Sequence, residues 1–145
     1  MSAVKDDEFK PLRDIGDTFD LNTFSQILDM DDPPSHDFSA SIVFDFFEQA
    51  EESFQQMDMA LEKSDLPTLS SVGHYMRGSA HTVGMMEVRD GCERIQQYGK
   101  RVDDDGTLGL DAETCLDRIR DELHRVKDYY AIAEKGLRLF YSQFD

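Results

Sequence analysis

Ala112, Leu116, Ile119, Leu123, Val126, Tyr130, Ala133, Leu137, Phe140 and Phe144 follow one another at alternating intervals of four and three residues. About 3.6 residues complete a helical turn, so this spacing keeps one narrow side of a helix apolar for its whole length. Such a helix spans an entire domain of a 145-residue chain, and its seam must be covered by other helices. The rest of the sequence supplies them. Leu21 to Met30 is a short amphipathic segment with Phe24, Ile27 and Leu28 on one side, stopped by Asp31-Asp32-Pro33-Pro34, because proline cannot continue a helix. A second helix is predicted from about Phe38 to Glu62, with Asp37 or Ser39 placed to cap it. Phe38, Ile42, Phe46, Ala50, Phe54, Met57 and Leu61 form its stripe, and Phe44 and Phe47 lie off it. A third runs from about Pro67 to Met85 and a fourth from about Glu87 to Val102. In the fourth, Gly91 and Gly99 are poor helix formers and signal a neighbouring backbone at close range. No segment alternates with the period of two that a strand requires. The fold class is therefore all-α: an antiparallel four-helix bundle, residues 20–145, with an added short helix near its start. Residues 1–19 carry charge, a proline, a glycine and few apolar side chains, and read as a flexible acidic arm.

Composition narrows the partners. Thirty-one acidic residues against 15 basic ones leave a net charge of −16, which repels nucleic-acid backbones and anionic lipid head groups. No apolar run approaches the ~18 residues of a membrane span, and the polar start is unlike a targeting peptide. Neither nucleic acid nor membrane is an expected partner. A monomer is expected, in the cytoplasm and the nucleus. Cys92 and Cys115 both fall at apolar helical positions and read as reduced core thiols.

One histidine is out of place for a core residue. At about 100° per residue, Leu69, Val72, Met76, Ala80 and Val83 make the inner face of the third helix, while His74, Gly78, His81 and Met85 make a stripe nearly opposite, bordered by Arg77. A neutral imidazole is a nucleophile near pH 7. A guanidinium one turn away can offset the charge of a phosphoryl group. An exposed glycine at the next turn costs its helix roughly 0.8–1 kcal/mol relative to alanine and leaves room for something to approach. A metal site is not expected: His74 and His81 are two turns apart, about 10.5 Å along the axis, where zinc ligands on one helix sit three or four residues apart. The Glu-x-x-His pairs of di-iron bundles are also missing. His36 and His124 read as solvated.

His74, Arg77, Gly78, Ser79 and Gly84 stand at positions 0, +3, +4, +5 and +10 of one segment. This resembles the signature of histidine-containing phosphotransfer (HPt) domains. The blocks Cys92-Glu93-Arg94-Ile95-Gln96-Gln97-Tyr98-Gly99, Met30-Asp31-Asp32, Asp37-Phe38-Ser39 and Phe46-Phe47-Glu48-Gln49-Ala50 are similar to the free-standing fungal members of Ypd type. The resemblance covers roughly Phe24 to Val102. It implies a phosphorelay carrier: His74 takes a phosphoryl group from a receiver-domain aspartate of a hybrid histidine kinase and passes it to receiver domains of response regulators. Osmotic or oxidative stress signalling is the implied setting. By the same resemblance Arg77 compensates charge, Gly78 gives access, Gln96 orients the imidazole, Ser79 supports the site or bonds within its helix, and Gly84 permits a close turn. The receiver supplies Mg²⁺, so the carrier needs no cofactor of its own. The sequence has no Gly-rich nucleotide loop, so the chain is read as a carrier and not an enzyme. Ile27, Met30, Phe38 and Ile42, with Gln49 at the rim, are the expected receiver-docking residues. The competing reading is a helical scaffold or adaptor that is never phosphorylated.

Overall fold

The computed structural model describes residues 8–144. The helices are α1 (Lys10–Arg13), α2 (Leu21–Leu28), α3 (Asp37–Glu62), α4 (Leu66–Thr82), α5 (Met86–Gly99) and α6 (Ala112–Ser142). Three begin on an aspartate whose carboxylate accepts orphan backbone amides: Asp20 from Asn22 and Thr23, Asp65 from Thr68, and Asp111 from Thr114. The start of α3 is satisfied differently. Neither Asp37 nor Ser39 caps it. Asp31 reaches forward from the preceding loop and accepts from the Ser39 amide at 2.7 Å and from its hydroxyl at 2.6 Å, and Ser35 Oγ accepts from the Asp37 amide.

Helices α3 to α6 form an antiparallel bundle. Along α3 and α6 the pairing runs from Tyr141 donating to Ser39, through Tyr130 donating to the Phe47 carbonyl, to Lys127 on Asp58. The α6 seam is buried from Leu116 to Phe140, as its spacing predicts. Along α4 and α5, a Cβ on Gly99 would stand 2.7 Å from the Ser70 amide nitrogen and 2.9 Å from the Leu66 carbonyl oxygen. Only a bare Cα lets these backbones meet there. Gly91 instead makes room for the Val126 side chain of α6. Beside it, Glu122 is buried and ion-paired to Arg94 at 2.8 Å and Arg125 at 2.6 Å, which offsets the cost of burying a carboxylate. Cys92 and Cys115 are free and buried, and burial pushes the Cys92 thiol up to about 12. Among the described residues no helix is long and apolar enough to cross a membrane.

Several expectations need correction. Residues 8–19 do not behave as an arm. Leu12, Ile15 and Phe19 are buried, Ile15 sits where a Cβ on Gly136 would be, and the Asp20 amide donates to the Gly84 carbonyl at 2.8 Å. Three apolar side chains at helical spacing anchor this segment across α6 and the α4–α5 turn, despite its charge. Residues 1–7 of the expected arm lie outside the described residues. Helix α4 ends at Thr82, and Gly84 turns the chain at φ +85°. The helical register of His74 therefore stops short of Met85, which is buried and not part of the outward stripe. On α3 the inward face includes Val43 and Phe47, and Phe38 is exposed. Ile27, expected to dock a partner, is 5% exposed: it holds α2 on the bundle. His36 is not simply solvated; its ring stacks on Phe144 at 3.9 Å, and its buried Nδ1, 3.6 Å from Asp31, has no hydrogen-bond partner among the described residues.

Candidate functional site

Helix α4 has two faces because its apolar residues recur at three and four. Leu69, Val72, Met76 and Ala80 point into the bundle and are buried. His74, Gly78 and His81 are exposed on the other side. The His74 imidazole makes no hydrogen bond or ion pair among the described residues, so both ring nitrogens are free. A Cβ added to Gly78 would find nothing within 4 Å. The surface beyond His74 is therefore open by one full side chain. The Gly78 carbonyl, exposed by the missing side chain, accepts from Thr82 Oγ1.

Helix α5 closes the site on one flank. Gly73 touches it: a Cβ there would stand 2.9 Å from the Cys92 carbonyl oxygen and 3.2 Å from the Gln96 amide nitrogen. The Ser70 hydroxyl donates to the Gln96 carbonyl at 3.1 Å. These contacts fix the Gln96 backbone against Gly73 and Ser70, and no hydrogen bond joins its side-chain amide to the His74 imidazole. Ser79 is half-buried, and among the described residues its side chain makes no hydrogen bond, within its helix or outside it. Arg77 is half-exposed and pairs with Glu93 of α5, Nη1 to Oε1 at 3.5 Å. Next to them Arg89 contacts Asp90 at 2.8 Å and His81 Nδ1 at 3.2 Å, a pairing in which the guanidinium donates to a neutral ring. Arg77, Gly78, His81, Arg89, Asp90 and Glu93 line a shallow depression of about 430 Å³.

The family profile described as Hpt domain matches residues 41–129 of this chain, a span that includes this exposed face. The chain belongs to the Hpt family. This HPt domain is 43% identical over 125 residues to multistep phosphorelay regulator 1 of Schizosaccharomyces pombe, across 86% of this chain and 42% of that protein. It is 38% identical over 111 residues to the phosphorelay intermediate protein YPD1 of Candida albicans, across 77% of this chain and 59% of that one. The domain thus spans about half the length of the curated relatives it matches. Among solved structures, the fold resembles that of the Saccharomyces cerevisiae histidine phosphotransfer signaling protein Ypd1, crystallised with the receiver domain of its downstream response regulator Ssk1. The TM-score is 0.77 at 24% identity, over 87% of this chain and 95% of that one. A Medicago truncatula histidine-containing phosphotransfer protein aligns with TM-score 0.61 at 21% identity, over 96% and 91% of the two chains.

On the opposite flank of His74 in this HPt domain, Gln49, Glu52, Ser53 and Gln56 of α3 and Ser71, Val72 and Tyr75 of α4 line a second depression of about 300 Å³. Gln49 continues the α3 stripe of Phe38 and Ile42. Phe38 is 47% exposed, Met30 is 66% exposed, and Ile42 is half-buried. The sequence reading passed over Tyr75, 54% exposed beside His74. Its signal was legible as a large aromatic off the core stripe. Gly73 and Glu93 were passed over too, and their roles depend on where α5 lies. Among the described residues no group of three or more His, Cys, Asp or Glu could hold a metal ion.

Proposed function

We propose that His74 carries a phosphoryl group between receiver domains, taking it from a hybrid histidine kinase and giving it to response regulators. The observation that supports this most is the unpartnered, exposed imidazole of His74 with open space above Gly78, in a chain of the Hpt family. In the forward step the unprotonated ring nitrogen attacks the phosphorus of an aspartyl phosphate. A P–N bond forms, the P–O bond to the carboxyl breaks, and the receiver's carboxylate leaves with the electron pair. The ring proton remains on the other nitrogen. The reverse step delivers the group to the next aspartate. Such transfer relies mostly on positioning and on stabilising charge.

The residues divide this work by position. Arg77 offers the cation for the phosphoryl oxygens, and Gln96 orients the imidazole as the partner closes the site and tightens its contacts. Gly78 leaves the approach clear, and Ser79 lies behind it as a minor support. Met30, Phe38, Ile42 and Tyr75 provide an apolar docking face with Gln49 at its rim, while Ile27 holds α2 beneath it. The receiver brings Mg²⁺ and its acidic pocket; this chain contributes the acceptor and binds no nucleotide. The setting proposed for this carrier is stress signalling in the cytoplasm and nucleus.

The test is to mix the protein with a labelled phospho-receiver and follow the label. Acid-labile label should appear on the wild type and vanish in His74→Gln, with an unchanged melting temperature. Label retained on the variant would place the acceptor elsewhere. Receiver binding without any transfer would make the chain a scaffold.

A further inference from the structure

The cation closest in sequence to the acceptor on its own face, Arg77, is already engaged. Its guanidinium pairs with Glu93 at 3.5 Å, and the two side chains are 37% and 48% exposed. The other arginines of this region are engaged in the same way, Arg89 with Asp90 and Arg94 with Glu122. Glu93 lies one turn before Gln96 on α5, so both face the same side. Gly73 sets that stretch of α5 against α4 at the level of His74.

We infer that Glu93 is a positioning residue that holds Arg77 in reserve and thereby sets how tightly His74 keeps its phosphoryl group. This rests on the phosphoacceptor reading above. A dianionic phosphoryl group on His74 must draw Arg77 away from a carboxylate, so it gains only the difference between two ion pairs. The displaced carboxylate stays close and repels it. A carrier has to release what it accepts. A freely available guanidinium would stabilise the phosphohistidine and slow the onward step. An ion pair this exposed is weak and exchanges readily, which suits a contact that is broken and remade in every cycle. Glu93 forms no bond in the transfer and acts only through Arg77.

The experiment loads the whole 145-residue chain with phosphoramidate and equilibrates it with a purified receiver domain, for wild type, Glu93→Gln, Arg77→Gln and the double variant. Glu93→Gln should raise the ratio of phosphohistidine to phospho-aspartate about threefold, the size expected for one partly exposed ion pair. It should also lengthen the phosphohistidine half-life. Both effects should disappear in the Arg77→Gln background. Glu93→Asp, one methylene shorter and less able to hold Arg77, should shift the ratio in the same direction as Glu93→Gln. A wild-type ratio in folded Glu93→Gln overturns the inference. An equal shift with and without Arg77 also overturns it, because Glu93 would then act on the phosphoryl group directly. Absence of label on wild-type His74 overturns the phosphoacceptor reading, and this inference with it.

Discussion

The same substitution should have opposite effects on two glycines of this bundle, and the sign is set by what each glycine faces. At Gly78 a Cβ meets nothing within 4 Å. Gly78→Ala therefore gains helix propensity without a clash, roughly 0.8–1 kcal/mol at an interior helical position. For a domain of this size that corresponds to a rise in melting temperature of about 3 °C. At Gly99 the new Cβ would stand 2.7 Å from the Ser70 amide nitrogen and 2.9 Å from the Leu66 carbonyl oxygen. Backbone atoms of a packed helix cannot rotate away, so α4 and α5 must separate. Overpacking of this kind costs about 1–3 kcal/mol. Gly99 is the last residue of α5, so little propensity is gained in return, and the melting temperature should fall by roughly 3–9 °C. Thermal unfolding followed by far-ultraviolet circular dichroism measures both. The larger Gly78→Gln should keep the stability while slowing transfer from a phospho-receiver at least tenfold, since it fills the approach to His74. Melting shifts of the same sign at the two glycines would refute the reasoning from contacts. A wild-type transfer rate in Gly78→Gln would refute the reading of the open surface as an approach path.

Three further outcomes follow from the seating of α2, the exposed start of α3 and the helix caps. Ile27→Asp places a charge at a 5% exposed position and should cost about 3 kcal/mol or more of stability. Phe38→Ala, at a 47% exposed position, should leave the melt unchanged. In calorimetric titration it should weaken receiver binding about tenfold, roughly 1.4 kcal/mol; wild-type affinity would remove Phe38 from the docking face. In acid, Asp65 is held below its ordinary value of 3.8, first by the Thr68 hydroxyl and then by the Thr68 amide, and Asp20 is held low by the hydroxyl and amide of Thr23. A depressed folded-state value stabilises above the unfolded value and is lost as pH falls through the folded one. Melting temperature should therefore drop below about pH 4, more gently in Asp65→Asn, which keeps a capping oxygen without a titrating carboxyl. Identical slopes for the two proteins would show that this cap does not titrate with folding.

Along α4 and α6, the face on which a residue stands was legible in the sequence. The α6 seam is buried as its spacing requires, and His74 lies outside because the core positions of α4 are Leu69, Val72, Met76 and Ala80. The bundle class and the exposed histidine follow from one local period. What the sequence did not reveal depends on which distant segment lies alongside. Leu12, Ile15 and Phe19 are too few to declare a helix alone, and they are buried only because α6 and the Gly84 turn receive them. Ile27 and Phe38 both look apolar and amphipathic, and only the seating of α2 buries the first and leaves the second exposed. Met85 leaves the outward stripe because the chain reverses at Gly84. The pairing of Arg77 with Glu93 joins residues 16 positions apart on two helices. Helical periodicity decides the face on which a side chain stands. Only the packing of helices, which glycines such as Gly73 and Gly99 bring to close range, decides what it meets there.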